Sequence, residues 1–92
     1  MTSKTVTVVN QLGMHARAAA KFVHLAGRYA ARIRVSRQGR EVDGKSIMGI
    51  LLLAAARGSS VTISADGSDE QDAVDALAAL VASGFGEESC GV

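Results

Sequence analysis

The chain has 92 residues, enough for one domain with a single hydrophobic core but not for two. Hydrophobic residues make up 48% and charged residues 21%, a composition typical of a folded globular domain. Ten lysines and arginines against nine acidic residues give a net charge of +1, and aromatic residues make up only 3%. This balance does not indicate a nucleic-acid-binding protein. Cys90 is the only cysteine, which excludes an intrachain disulfide and a multi-cysteine zinc site.

No segment predicts export or a membrane span. The first nine residues alternate polar and apolar side chains and contain no signal-peptide core. The longest apolar run, at 47–56, is well short of the ~20 residues that a membrane span needs. We therefore expect a soluble cytoplasmic protein with one domain over residues 1–92, a disordered tail at 87–92, and neither a cofactor nor a metal site.

The hydrophobic pattern predicts seven elements in the order βαββαβα. Segments with a period near two and many β-branched residues predict strands at 4–10, 32–37, 41–43 and 60–65. Apolar residues spaced by three and four predict helices at 16–28, at 47–56 and from about 70 to Gly84. Strands and helices with one apolar face each predict an α+β fold, in which a four-stranded antiparallel sheet is covered on one face by three helices.

Several residues predict how the helices begin and which face is buried. In the first helix, the predicted apolar face comprises Ala16, Ala19, Ala20, Val23 and Ala26. Ser46 is the predicted N-cap of the second helix, and Gly58 its predicted end. The third helix follows Ser68, which has the spacing of a capping box with Gln71.

His15 is notable for its position at the end of a loop and the start of a helix. The free N–H groups of a helix N-terminus carry partial positive charge and bind anions. Arg17 adds a guanidinium that matches phosphate geometry. A neutral imidazole nitrogen held there could attack a phosphoryl donor, and the amides and Arg17 would stabilise the product. A plain helix cap is an equally good interpretation of His15, and the residues alone leave both open.

Three short motifs carry a resemblance to a known family. Gly-Met-His-Ala-Arg at 13–17, Lys-Ser-Ile-Met-Gly at 45–49 and Ala-Asp-Gly-Ser-Asp-Glu at 65–70 resemble the HPr family of the phosphoenolpyruvate-dependent phosphotransferase system. The resemblance implies an open-faced β-sandwich of the order βαββαβα. It also implies that His15 is phosphorylated on Nδ1 by enzyme I, that Arg17 is the partner of the phosphate, and that the phosphoryl group passes to an EIIA-type domain.

The resemblance predicts a carrier and not an enzyme with its own turnover. A monomer is expected, with enzyme I, EIIA-type domains and HPr kinase/phosphorylase as partners, and without nucleic acid or a membrane. The alternative is a regulatory paralogue that acts mainly by binding proteins according to its phosphorylation state. A KH-like or ACT-like binding module fits the α/β pattern but explains neither the motif at 13–17 nor that at 45–49.

Ser46 also has two interpretations. The sequence itself favours a plain N-cap. By resemblance, it is the serine modified by HPr kinase/phosphorylase, and a phosphate there would weaken docking to an acidic surface of enzyme I. The predicted partner contacts are Ala16, Ala20, Ile47, Met48 and Leu51. Leu52 belongs to the same apolar set, whereas Ile50 and Leu53 are predicted to lie in the core.

A basic stripe follows Arg17 along the first helix. Lys21, His24 and Arg28 recur at spacings of three to four and would attract acidic partners, although such faces are also often merely solvated.

Ala18 departs from the family pattern, which usually has proline at this position. A first-turn amide has no acceptor within the helix main chain, so proline is tolerated there. On this basis, Ala18→Pro is expected to be neutral or modestly stabilising.

Residues 39–46 match the pattern G-x-x-x-x-G-K-S of a nucleotide-binding loop. Such a loop follows a buried parallel strand, whereas residues 32–37 alternate arginine with apolar residues. We therefore reject this match.

Overall fold

The structure is a computed structural model, and it describes residues 1–86, so the tail predicted at 87–92 lies outside the described residues. The predicted order βαββαβα is confirmed. The elements are β1 (Thr2–Thr7), α1 (Ala16–Ala26), β2 (Arg32–Arg37), β3 (Arg40–Asp43), α2 (Ile47–Leu52), β4 (Ser60–Asp66), α3 (Glu70–Ala82) and a 3₁₀ turn (Gly84–Gly86).

The four strands form one antiparallel sheet in the order β1-β4-β2-β3. In β4, Val61, Ile63 and Ala65 are buried, whereas the residues between them are half-buried. This alternation follows from the period of two along a strand. One face of the sheet packs on the helices, which confirms the predicted α+β architecture with helices on a single face.

The core lies between the sheet and the helices. The helices, β2, β4 and the final turn supply most of its largest fully buried side chains, among them Phe22, Ile33, Ile50, Ile63, Leu77 and Phe85. Burial of a large apolar side chain contributes ~1.5–3 kcal/mol relative to its exposure, so these side chains dominate the packing energy.

The predicted buried face of α1 was wrong in part. Ala16 and Ala20 are exposed, whereas Ala18 and Phe22 are buried together with Ala19 and Ala26. The burial of Phe22 sets the rotation of the helix, because phenylalanine offers far more apolar surface than any single alanine. An alanine-rich helix therefore gives an ambiguous pattern.

Several element boundaries also differ from the prediction, and α1 ends at Ala26 and not at 28. β1 spans Thr2–Thr7 and not 4–10. After Thr7 the Val8 amide donates to the Ser59 carbonyl, but the Val8 carbonyl accepts from the Gly58 amide, so the regular pairing with β4 ends there. The second helix ends at Leu52 and not near residue 56, because Ala54 adopts a left-handed backbone with φ of +52°. Alanine is a strong helix former, so its sequence predicts continuation there.

The cap of α3 differs as well, although the helix begins at Glu70 as expected. Its N-cap is Asp69, and the predicted capping box from Ser68 is wrong. The Asp69 carboxylate accepts hydrogen bonds from the amides of Ala30 and Ala31, at 2.8 and 2.9 Å. The amide of Gly67 instead donates to Oε1 of Glu70 at 3.1 Å. The contact of Asp69 with the segment before β2 thus replaces the predicted capping box.

Candidate functional site at the N-terminus of α1

The loop before α1 is held by contacts that leave little freedom. Gly13 has a φ of +66°, and a Cβ there would come within 2.6 Å of the Ala55 carbonyl oxygen. The Met14 amide donates to that same carbonyl at 2.9 Å, and Asn10 Nδ2 donates to the Gly13 carbonyl at 2.6 Å. Glycine is required by both the backbone angle and the lack of space. The loop therefore delivers His15 to a fixed position.

His15 is the N-cap of α1 and has an extended backbone with φ −75° and ψ −179°. Its half-buried ring accepts a hydrogen bond through Nδ1 from the amide of Ala18, with an N···N distance of 3.4 Å. The plain-cap interpretation of His15 is thus correct as a description of the contact. The same contact turns Nδ1 toward the positive end of the helix, as the chemical interpretation requires.

The positive end of α1 has no acidic residue in its first turn. Arg17 lies in that turn and is exposed. A cation there opposes the helix dipole, so helix stability alone does not favour an arginine at this position. An anion attached to Nδ1 would meet the first amides of the helix and could be reached by the Arg17 guanidinium.

Ala18 has a contact that its sequence did not reveal. Its amide, expected to lack a partner, donates to the His15 ring, and its side chain is fully buried. Proline at this position would remove the donor and add volume to a packed region. The expected effect of Ala18→Pro therefore changes from neutral to a modest loss of stability.

A shallow groove runs along α1 from Arg17 to Arg28 and is bordered by α3. It is lined by Arg17, Ala20, Lys21, His24, Leu25, Arg28 and Leu80. The basic stripe predicted from the sequence therefore lies next to the apolar side chains of Leu25 and Leu80. Lys21 also donates through Nζ to the carbonyl of Phe85 at 2.8 Å, which ties the final turn to α1.

The second helix packs against α1 and is capped by Ser46. The Ser46 hydroxyl oxygen accepts a hydrogen bond from the amide of Gly49 at 3.1 Å, which confirms the predicted N-cap. Ile47 and Met48 are exposed, whereas Leu51 is half-buried and packs against the core. Leu52, at 56% exposure, offers more surface than Leu51.

The core predictions for α2 are confirmed, because Ile50 and Leu53 are buried.

The nucleotide-loop pattern at 39–46 includes β3, whose main chain pairs with β2. Residues 39–46 therefore cannot form a loop that wraps around a phosphate.

Within residues 1–86, no three histidine, cysteine or acidic side chains come together in a possible metal site. No helix in this part of the chain is both long and apolar enough to cross a bilayer.

Comparisons with known proteins show the family and agree with the fold. The family model of the HPr component phosphorylation site of the phosphotransferase system matches residues 2–83. The phosphocarrier protein HPr of Cupriavidus necator is 54% identical over 87 residues, which cover 95% of this chain and 98% of the relative. The crystal structure of HPr from Thermoanaerobacter tengcongensis superposes with a TM-score of 0.92 at 43% identity, covering 96% of this chain and 99% of that one.

A further neighbour is Crh of Bacillus subtilis, whose structure is described as a dimer with a swapped domain. It has a TM-score of 0.74 and 40% identity, and the match covers 91% of this chain and 97% of that one. Because a relative this similar is dimeric, the monomer expected here stays a prediction.

The fold and the matched relatives define a class of small α+β carriers with open-faced sheets. The chain belongs to the HPr family, the phosphocarrier proteins of the phosphotransferase system.

Proposed function

We propose that this protein accepts a phosphoryl group on Nδ1 of His15 from phospho-enzyme I and passes it to a histidine of an EIIA-type domain. The observation that carries the proposal is the orientation of His15, whose Nδ1 faces the N-terminus of α1. A phosphoryl group on that nitrogen would be stabilised by main-chain amides and by the charge of Arg17. The protein is then a covalent intermediate in a relay and has no substrate turnover of its own.

Partners would dock on the surface around His15. Two features support this: the exposed apolar residues Ile47 and Met48 on α2, and the basic groove along α1. The predicted contacts Ala16 and Ala20 are exposed on α1 as docking requires, and the half-buried Leu51 would contribute at the edge. A relay favours small interfaces with fast release, because each partner must leave before the next can bind.

Ser46 would add regulation to the same surface. As an N-cap its hydroxyl already bonds to the Gly49 amide, and α2 packs against α1. Phosphorylation by a kinase of the HPr kinase/phosphorylase type would add up to two negative charges beside the docking surface. Those charges would reduce the rate of encounter with an acidic partner.

The test uses phosphoenolpyruvate labelled in its phosphate, enzyme I and three proteins. The wild type and His24→Ala should take up acid-labile label, whereas His15→Ala should take up none. His24 is the matched control for which histidine is labelled, because it is the other histidine of the chain and lies exposed on the same helix. Since His24 also lines the groove, the extent of labelling is compared and not its rate. Label on His15→Ala would show that the assignment is wrong. A protein that takes no label but binds partners according to its Ser46 state would be the regulatory paralogue.

A further inference from the structure

The contact between His15 and Ala18 concerns the atom that would react. The Ala18 amide donates to Nδ1, while the Ala19 amide donates to the His15 carbonyl at 2.8 Å and closes the first turn of α1. The Ala18 amide is therefore directed to the ring and not to the helix main chain. At 3.4 Å between the nitrogens, the bond to the ring is long, so little energy is needed to exchange it for another.

This bond is possible in only one tautomer of the neutral ring. An N–H group can donate only to a lone pair, so Nδ1 is unprotonated and the ring proton is on Nε2. The lone pair that accepts from Ala18 is the same lone pair that would attack phosphorus. The amide thus favours the tautomer and orientation that transfer needs, and it gives up this weak bond as transfer occurs.

We propose that the Ala18 amide is a positioning group that exchanges acceptors, bonding Nδ1 before transfer and a phosphoryl oxygen afterwards. This inference rests on the proposed phosphorylation of His15. In the step, Nδ1 forms a bond to phosphorus while the bond from phosphorus to the nitrogen of the donor phosphohistidine breaks. The electron pair of the broken bond returns to that nitrogen, and the proton on Nε2 stays on the ring until it exchanges with solvent.

The exchange has a thermodynamic consequence. A hydrogen bond to a charged phosphoryl oxygen is stronger than one to a neutral imidazole nitrogen, so the amide favours the phosphorylated state. Proline, the usual residue of the family at this position, has no donor to offer. The Ala18 amide therefore gives this chain an additional hold on its phosphoryl group.

The first measurement uses the wild-type protein labelled with ¹⁵N. Before phosphorylation, Nδ1 of His15 should have the ¹⁵N shift of an unprotonated nitrogen and Nε2 that of a protonated one. After phosphorylation by enzyme I, the Ala18 amide proton should move downfield as it bonds to the phosphoryl group. If His15 is phosphorylated normally and the Ala18 amide does not move, the exchange is wrong and the proposed function stands. If His15 takes up no phosphoryl group, both are wrong.

The second measurement compares Ala18→Pro with Ala18→Gly, the conservative variant that restores the donor. The equilibrium between phospho-enzyme I and the phosphorylated carrier should shift against the carrier by about threefold to tenfold in Ala18→Pro. Ala18→Gly should recover most of that difference. Equal equilibria in the two variants would overturn the proposal. If Ala18→Pro does not fold, the wild-type spectra still decide the question.

Discussion

The N-termini of α1 and α3 are built in opposite ways. The first turn of α3 contains Glu70 and Asp72, whereas that of α1 contains no acidic residue. Carboxylates at a helix N-terminus neutralise its partial positive charge. The positive end of α3 is therefore satisfied within the protein, while that of α1 remains available to an anion. The residues missing from a first turn can thus point to a candidate anion site as clearly as those present.

The N-cap residues of α1 and α3 also differ in what their side chains contact. His15 caps its own helix, whereas Asp69 directs its carboxylate to the amides of Ala30 and Ala31. The hydrogen bond from Ala30, followed by that from Ala31, lowers the pKa of Asp69 below its ordinary value. The bond from the Gly67 amide does the same for the pKa of Glu70. The side-chain contacts at the start of α3 thus hold the fold together, whereas the start of α1 is where the proposed phosphorylation would occur.

The largest expected effect comes from Arg17→Ala. The guanidinium would bond to a phosphoryl group that carries more charge in the transition state, so its loss should slow phosphate acceptance by about tenfold to a hundredfold. The melting temperature should stay near that of the wild type, because the arginine opposes the helix dipole. Rates of labelling by enzyme I and thermal unfolding provide the two measurements.

The control for Arg17 is Arg32→Ala, which removes an equally exposed cation from β2. Arg32→Ala should change neither the rate of labelling nor the melting temperature. Similar rates in all three proteins would remove Arg17 from the site and would weaken the contrast between the two helix ends.

An effect on folding alone is expected from Asp69→Asn. The amide side chain keeps the shape but removes the negative charge that accepts from Ala30 and Ala31, so the melting temperature at neutral pH should fall. Since the folded-state pKa of Asp69 is lowered, its stabilisation is complete above the ordinary pKa of aspartate and is lost as pH falls through the lowered value. The gap between the two melting temperatures should therefore narrow in acid, as thermal unfolding across a pH series would measure.

Asp72→Asn is the matched control, because it removes a first-turn charge from α3 without touching the Asp69 bonds. Its effect on the melting temperature should be smaller. Both variants should accept phosphate at the wild-type rate per folded molecule. A slower rate in Asp69→Asn would mean that the two helix ends are not independent.

The smallest effect is expected at Ser46, the N-cap of α2. Removing the hydroxyl that accepts from Gly49 should cost about 1 kcal/mol in Ser46→Ala, whereas Ser46→Asp keeps an acceptor and should preserve stability. Ser46→Asp should nevertheless accept phosphate more slowly at low salt, and the deficit should shrink at high salt. Chemical denaturation measures the first effect, and labelling by enzyme I at two ionic strengths the second.

Ser68→Asp places the same charge before α3 on an exposed residue and is the control for Ser46→Asp. If both variants slow labelling equally, general charge repulsion is responsible. If neither does, Ser46 is a helix cap without a regulatory role.

Much of this structure could be predicted from the chain, because periodicity and turn residues are local properties. Element order, sheet class and the capping role of Ser46 all followed from such patterns. The rotation of α1 did not, since alanines on every side leave its buried face to Phe22 and to the tertiary packing. The N-cap contacts of α3 could not be predicted for a similar reason, because Asp69 bonds to residues almost 40 positions away.

At the site itself, the sequence predicted the position of His15 but not the direction of its ring. The Ala18 amide was expected to have no partner, since sequence reasoning treats first-turn donors as equivalent. Which of them meets the imidazole depends on the rotamer of His15 and on the loop that delivers it. Such details are fixed only by three-dimensional packing.

The bond from the Met14 amide to the Ala55 carbonyl joins the residue before His15 to the loop that leaves α2. A helix of six residues is a stiff rod about 9 Å long, with Ser46 at one end and this loop just beyond the other. Gly13 also lies close to Ala55, so the loop before α1 packs directly on the loop after α2. A displacement of the main chain at Ser46 would therefore have a packed path along α2 to the peptide that precedes His15.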